Sequence, residues 1–185
     1  MAKIVKGKVT FETEPKFGYV KGYTKWAKIL APDDYDKYSV NLYGEEIEGM
    51  ETELKELLDT AGKELEALDK QFTVADIFRV DDSGKKFLNF KLNATDFEGK
   101  PQNIKIYDVT GKEVTKTWNA LIGNGSLVKI KYRVAPYYMA ASRVLGLTFR
   151  FYAVQIINLQ EYKATSGFGD ETASAAFDKP FDEEF

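Results

Sequence analysis

A mainly β fold, a small barrel with one inserted amphipathic helix and an acidic tail, is predicted by three features of this 185-residue sequence. Two-residue alternation of apolar and polar side chains recurs through most of the first 160 residues. It gives way once to three- and four-residue steps, the mark of an amphipathic helix. After Tyr162 the composition shifts to Ala, Ser, Thr, Gly and Asp, and no core-forming pattern continues. The expected division is one domain over 1–162 and a disordered acidic tail over 163–185.

Val5, Gly7, Val9 and Phe11 alternate with Ile4, Lys6, Lys8 and Thr10 and read as a first strand. Residues 17–30 alternate loosely, with Tyr19, Lys21, Tyr23 and Lys25 on one face if the segment stays extended. A short strand over 37–43 follows. Ile47, Met50, Leu54, Leu57, Leu58, Ala61, Leu65 and Leu68 then mark a helix from about Glu46 to Asp69, weakened at Gly49 and Gly62. Strands resume at 73–80, 87–96 and 103–109, with turn signals at Asp82-Ser83-Gly84, Glu98-Gly99-Lys100-Pro101 and Thr110-Gly111. Two long strands, 127–135 and 144–159, close the body. Many strands around one inserted helix fit the five-stranded OB-fold barrel, which presents a sheet face and loops to oligonucleotides. A β-sandwich is the alternative.

Composition narrows the chemistry. With 44 % hydrophobic and 14 % aromatic residues the body is globular. No stretch approaches the ~20 apolar residues of a membrane span, and Met1-Ala2-Lys3-Ile4-Val5 runs straight into a strand pattern rather than a signal peptide. No membrane association and a cytoplasmic location are expected. The chain has no cysteine and no histidine. Disulfides, thiolate sites, Ser-His-Asp triads and Cys/His zinc sites are therefore excluded, and neither a cofactor nor a metal is expected.

The net charge of -3 conceals segregation. Residues 161–185 carry -5, and Glu45 to Lys70 carry -7, so everything else sums to +9. A basic body with two acidic appendages points to a polyanionic partner, although acidic helices and tails also serve solubility.

The strongest binding element is Ser126-Leu127-Val128-Lys129-Ile130-Lys131-Tyr132-Arg133-Val134-Ala135-Pro136-Tyr137-Tyr138. Lys129, Lys131 and Arg133 project to one side of such a strand, and Val128, Ile130, Tyr132 and Val134 fill the other. Cations spaced at about 6.6–6.8 Å come close to the phosphate spacing of an extended single strand. Tyr137 and Tyr138 follow at once, with Pro136 expected to stiffen a turn. Cations along a backbone, plus aromatic faces for bases, are what sequence-tolerant single-strand binding needs. A basic solvent face ending in a packed tyrosine corner is the alternative. Tyr19, Lys21, Tyr23 and Lys25 repeat the interleaving, and Lys6, Lys8, Lys91, Asn93, Lys105, Tyr107, Arg143 and Arg150 are weaker candidates. Trp26 and Trp118 read as core or rim. Gly123-Asn124-Gly125-Ser126 has no following Lys and reads as a hairpin turn, not a phosphate loop.

Ile122-Gly123-Asn124-Gly125-Ser126, Val128-Lys129-Ile130-Lys131-Tyr132 and Pro136-Tyr137 resemble the corresponding stretch of the T7-like bacteriophage single-stranded DNA-binding proteins. The resemblance runs upstream through Phe90-Lys91 and residues 104–111, and downstream through 147–159. The order of strands, long helix, strands and an acidic tail ending in Phe also matches. It implies an OB-fold protein that coats single-stranded DNA during phage replication, recombination and repair, as monomer or homodimer and without catalysis. It implies phosphate contacts at Lys129 and Lys131 and a stacking ring at Tyr137. Tyr138 and Met139 stand where a family example has Lys and Trp, and a second family stacking aromatic falls near Asn93. Stacking is then expected to fall to other rings, Tyr138 or the Tyr19/Tyr23 pair.

The tail ends in Asp178-Lys179-Pro180-Phe181-Asp182-Glu183-Glu184-Phe185. Phe185 among Asp182, Glu183 and Glu184 suits a basic, apolar pocket. The resemblance implies phage DNA polymerase and helicase-primase as its partners. Anion plus aromatic is also the chemistry of a nucleic acid, so the tail is expected to compete for the groove along residues 129–137. A β-barrel interaction scaffold with no nucleic-acid role is the alternative function. A Mg²⁺ nuclease is a third, resting on Asp33-Asp34 and Asp81-Asp82 in turns.

Overall fold

The computed structural model describes residues 1–161; the expectations for the tail, including Asp182, Glu183, Glu184 and Phe185, lie outside the described residues. The elements in chain order are β1 (Lys3–Val5), β2 (Lys8–Thr10), β3 (Lys16–Lys28), β4 (Lys37–Tyr43), α1 (Glu45–Glu48), α2 (Glu51–Leu65), β5 (Thr73–Val74), β6 (Arg79–Val80), β7 (Lys86–Asn93), β8 (Lys105–Tyr107), β9 (Leu127–Met139) and β10 (Val144–Asn158).

Five of these strands form the barrel. β3 pairs antiparallel with β4 on one side and β9 on the other. β4 pairs with β7 and β9 with β10, both antiparallel. A parallel contact between Arg150 of β10 and Lys91 of β7 closes the ring. This is the connectivity of the OB-fold barrel, as expected from the strand pattern. Among the described residues no helix is long and apolar enough to cross a membrane.

The core follows from strand parity. Val128, Ile130, Tyr132 and Val134 of β9 all face inward, against Val40 and Leu42 of β4, Phe90 of β7 and Phe151 and Val154 of β10. Phe90 is fully buried, edge-on to Phe149 at 5.6 Å between ring centroids and tilted against Tyr132 at 6.2 Å. Ile47, Met50 and Leu54 from the helical segment enter the same core. Leu58, Ala61 and Leu65 continue into a second cluster with Leu145, packed by Val9, Phe11, Phe72 and Tyr138. α1 approaches β3 closely at Gly22, where a Cβ would lie 3.0 Å from the Tyr43 carbonyl oxygen and 3.1 Å from Ile47.

Several elements depart from expectation. The first strand is a hairpin, β1–β2, because Lys6 (φ 50°) and Gly7 (φ 78°) both take the left-handed conformation of a two-residue turn. It is fastened to α2 through Glu64, whose carboxylate accepts from the Glu12 and Thr13 N–H groups at 2.7 and 2.8 Å. The helix is shorter than its apolar pattern and is interrupted at Gly49–Met50. Residues 73–80 are two separate pairs, one parallel to β10 and one antiparallel to β7. β9 runs on through Pro136 rather than turning there. β3 pairing stops at Val134, so the extension has an open edge on which a missing N–H is tolerated.

Four loops share one construction. In residues 33–37, 81–85, 96–100 and 108–112 an Asp carboxylate accepts the N–H groups two and four residues on, at 2.9–3.0 Å. The fourth position is left-handed in each, at Asp36, Gly84, Gly99 and Gly111. The Ser83 hydroxyl and the Lys85 and Ser83 N–H groups pull the Asp81 pKa from its ordinary 3.8 to about 2. The Thr110 hydroxyl leads the same downward shift at Asp108. A depressed carboxylate stabilises the fold above its unfolded pKa, and that stabilisation disappears as pH falls through the folded value. For Asp81 the window is pH 3.8 down to about 2. Asp81→Ala is expected to lower the melting temperature near pH 6 and to make its fall below about pH 4 less steep. An acid limb as steep as that of the unsubstituted chain would uncouple this turn from stability.

Candidate nucleic-acid interface

Strand register assembles the outward face of β3, β9 and β10 into three lateral rows. Lys21 lies beside Lys129, Gln155 and Tyr107. Tyr19 lies beside Lys131, Ala153 and Lys105. Phe17 lies beside Arg133, Arg150 and, across the barrel closure, Lys91. These twelve positions hold seven cations, three aromatic rings and no carboxylate. Among the described residues none of the seven cations is in an ion pair. Strands about 4.8 Å apart, with a two-residue repeat of about 6.8 Å, make this a grid on the scale of a nucleotide.

Three rings on this face are exposed, two of them beside a cation. Phe17 is 62 % and Tyr19 65 % exposed, and Tyr23, on the same face, 53 %. The Lys129 ammonium stands 5.4 Å from the Tyr19 centroid, and the Arg133 guanidinium 5.9 Å from that of Phe17. Each contact keeps a cation beside a ring without covering its whole face. Burial, reinforced by the Arg79 and Lys37 charges, holds the Lys91 ammonium below its ordinary pKa. Like charges gathered in this way favour an arriving anion. Lys91, Arg79, Arg150, Asn89 and Tyr137, together with one acid, Asp76, line a cavity of about 450 Å³. The Tyr137 ring lies over Gly146, where a Cβ would come 2.6 Å from its hydroxyl.

Not every expected residue joins this face. By strand parity Tyr138 points away from Tyr137, toward α2. Its hydroxyl donates to Asp69 at 2.5 Å, which lowers the Asp69 pKa and raises that of Tyr138. Tyr138→Phe is expected to reduce the melting temperature and leave oligonucleotide affinity unchanged. Lost affinity in a fully folded variant would return Tyr138 to the binding surface. Lys8 belongs to the hairpin that packs on α2, and Arg143 faces Asp69 at 3.7 Å.

Other residues are gained. Phe17 extends the Tyr19–Lys21–Tyr23 spacing by one more step, a signal present in the sequence and unused. Lys105 and Tyr107, already candidates in the sequence, come onto this face through the parallel β8–β10 pairing, which local sequence does not announce. Trp118 is partly buried as expected, its indole N–H donating to the Ala120 carbonyl at 2.8 Å. Trp26 is neither core nor rim: it is 65 % exposed on a bulge where the β3–β4 register slips between Lys25 and Lys28. Its φ of 55° is unusual for a bulky residue and costs on the order of 1–3 kcal/mol.

The 123–126 segment is a turn, its Ser126 N–H donating to the Gly123 carbonyl at 3.3 Å. It joins no hairpin, because Ile122 pairs with Glu161 rather than with β9, and it serves as a clamp. The Asn124 side-chain oxygen accepts the Trp26 N–H at 2.9 Å, and the buried Thr24 and Ser126 hydroxyls both donate to the Gly123 carbonyl, at 2.9 and 2.8 Å. Ile122 bridges to Glu161, and Gly123 N–H donates to the Gln160 carbonyl at 2.7 Å. Of the four acids of the nuclease reading, Asp33 and Asp81 serve turns by accepting their own loop N–H groups.

No family model matches this chain, and no curated protein matches it. Solved structures do. Bacteriophage T7 gp2.5, a single-stranded DNA-binding protein, is 23 % identical over 83 % of this chain and 92 % of its own, with a TM-score of 0.63. The single-stranded DNA-binding protein of bacteriophage Enc34 is 12 % identical over 92 % of this chain and 95 % of its own, with a TM-score of 0.56. At such identities the likeness is one of fold.

Proposed function

We propose that this chain is a single-stranded DNA-binding protein of the T7-like phage type, which coats the strand largely without sequence preference and catalyses nothing. The observation that carries this reading is the carboxylate-free array of seven cations and three rings on one sheet face. Phosphates are met by Lys129, Lys131, Arg133 and Lys21, with Lys91 and Arg150 extending the track. Bases stack on Tyr19, Tyr23 and Tyr137, because every base offers a π-face and no reading of its edge is required. The fold shared with two phage single-stranded DNA-binding proteins supports the same reading. Its setting is phage replication, recombination and repair, with the acidic tail recruiting phage DNA polymerase and helicase-primase. The experiment is an anisotropy titration of labelled oligo(dT) at two salt concentrations. Tight binding that weakens steeply with salt is the expected result. No binding at low salt would overturn it and leave a β-barrel interaction scaffold.

A further inference from the structure

The Trp26 bulge lies beyond the three rows, and nothing in the residues of that array requires it. Alternation along β3 places Thr24 inward and Lys25 outward, so an unbroken strand would bury position 26. The bulge reverses this. Lys25 and Trp26, consecutive in sequence, both line a groove with Asn41, Tyr43 and Phe87. Tyr43 and Phe87 pack at 5.1 Å between centroids, and the Lys25 ammonium stands 5.9 Å from the Tyr43 centroid. On its other side Trp26 borders a cavity of about 400 Å³ with Lys28, Leu30, Pro32, Leu121 and Ile122. A large ring is thus presented to solvent on a strained backbone, and a dedicated side-chain acceptor, Asn124, holds that backbone in place.

We propose that Trp26 is a base-stacking platform, a further contact that carries a bound single strand from Tyr23 over the bulge of β3. The proposal rests on the single-strand-binding reading above. A nucleobase is the occupant because the platform continues a face that already alternates rings and lysines: Tyr19, Lys21, Tyr23, Lys25. Lys25 and Lys28 flank the ring and supply the phosphate contacts on either side of the stacked base. Asp81 and Asp82 border the Tyr43 side of the groove and keep the phosphates toward the lysines. The strain has a use here. Glycine takes φ near 55° without penalty, so tryptophan at this position raises the energy of the free protein to present its ring.

The test uses the full chain, whose two tryptophans are Trp26 and Trp118. Anisotropy of labelled oligo(dT) reports binding, and tryptophan emission reports contact. Trp118→Phe leaves Trp26 as the reporter, and oligo(dT) is expected to quench most of its emission. Trp26→Gly is expected to raise the melting temperature while weakening oligo(dT) binding roughly five-fold or more, with an unchanged slope of log K against log salt. These opposite signs separate a binding role from a structural one. Binding by anisotropy with unaltered Trp26 emission, or unaltered affinity in Trp26→Gly, overturns the platform and leaves the single-strand reading standing. No anisotropy change with the unsubstituted chain overturns that reading and the platform with it. Quenching of Trp26 by a peptide of residues 162–185, and not by oligo(dT), also overturns the platform and assigns the groove to the tail.

Discussion

Lys129→Ala combined with Lys131→Ala is expected to weaken oligo(dT) binding by roughly ten-fold or more at low salt and to flatten the salt slope by about 1.4. The slope follows from counterion release, about 0.7 per neutralised phosphate on a single strand, for two lost contacts. Both lysines sit mid-strand in β9, flanked on the inner side by Val128, Ile130 and Tyr132, so their Cα positions are fixed by the core rather than by solvent. Removing their charge leaves that core untouched, and the melting temperature should not fall. Lys129 also stands against Tyr19, so the double variant frees one stacking ring as it removes a phosphate contact. The flattened slope is therefore the more decisive number. A slope unchanged within error would take β9 out of the interface, whatever happened to affinity.

Phe90→Ala is expected to destabilise the fold by about 3–5 kcal/mol, the range for emptying a buried aromatic site. Phe90 is fully buried between Tyr132 and Phe149, on the strand whose neighbour Lys91 closes the barrel against Arg150. The void cannot collapse without moving β7 relative to β10. Chemical denaturation should report the loss, and oligo(dT) affinity should fall with it through the Lys91–Arg150 seam. A loss below about 1 kcal/mol would mean that the neighbouring rings refill the site.

Local periodicity carried the reading as far as local periodicity reaches. The division of β9 into Lys129, Lys131 and Arg133 outside and Val128, Ile130, Tyr132 and Val134 inside was legible because it needs only a repeat of two. The helix was legible in kind, and its limits were not, because Ile47 and Met50 carry the pattern across the break at Gly49–Met50 and Leu68 carries it past the end at Leu65. Closure was not legible. Lys91, Arg150, Lys105 and Tyr107 were candidates in the sequence, but the parallel pairings that bring them onto one face link segments far apart in sequence. Trp26 read as core or rim, and the bulge instead carries it outward, a local slip of register that its residue type does not reveal. Tyr138 shows the reverse: parity already set it opposite Tyr137, and its aromatic character alone drew it into the site. One acid of each Asp pair, Asp33 and Asp81, is a turn residue that accepts its own loop N–H groups.

The Gly123–Ser126 clamp has a mechanical consequence. Glu161, the last described residue, bridges Ile122, while Gln160 accepts from Gly123 and donates to the Ser126 hydroxyl at 2.9 Å. A pull on the chain beyond residue 161 is therefore taken up first by this turn, and passes through Asn124 to the backbone of Trp26. Load applied at that end meets a rivet of short hydrogen bonds joining residues 160–161, the 122–126 turn and Thr24–Trp26 of β3, before it reaches the rest of the barrel.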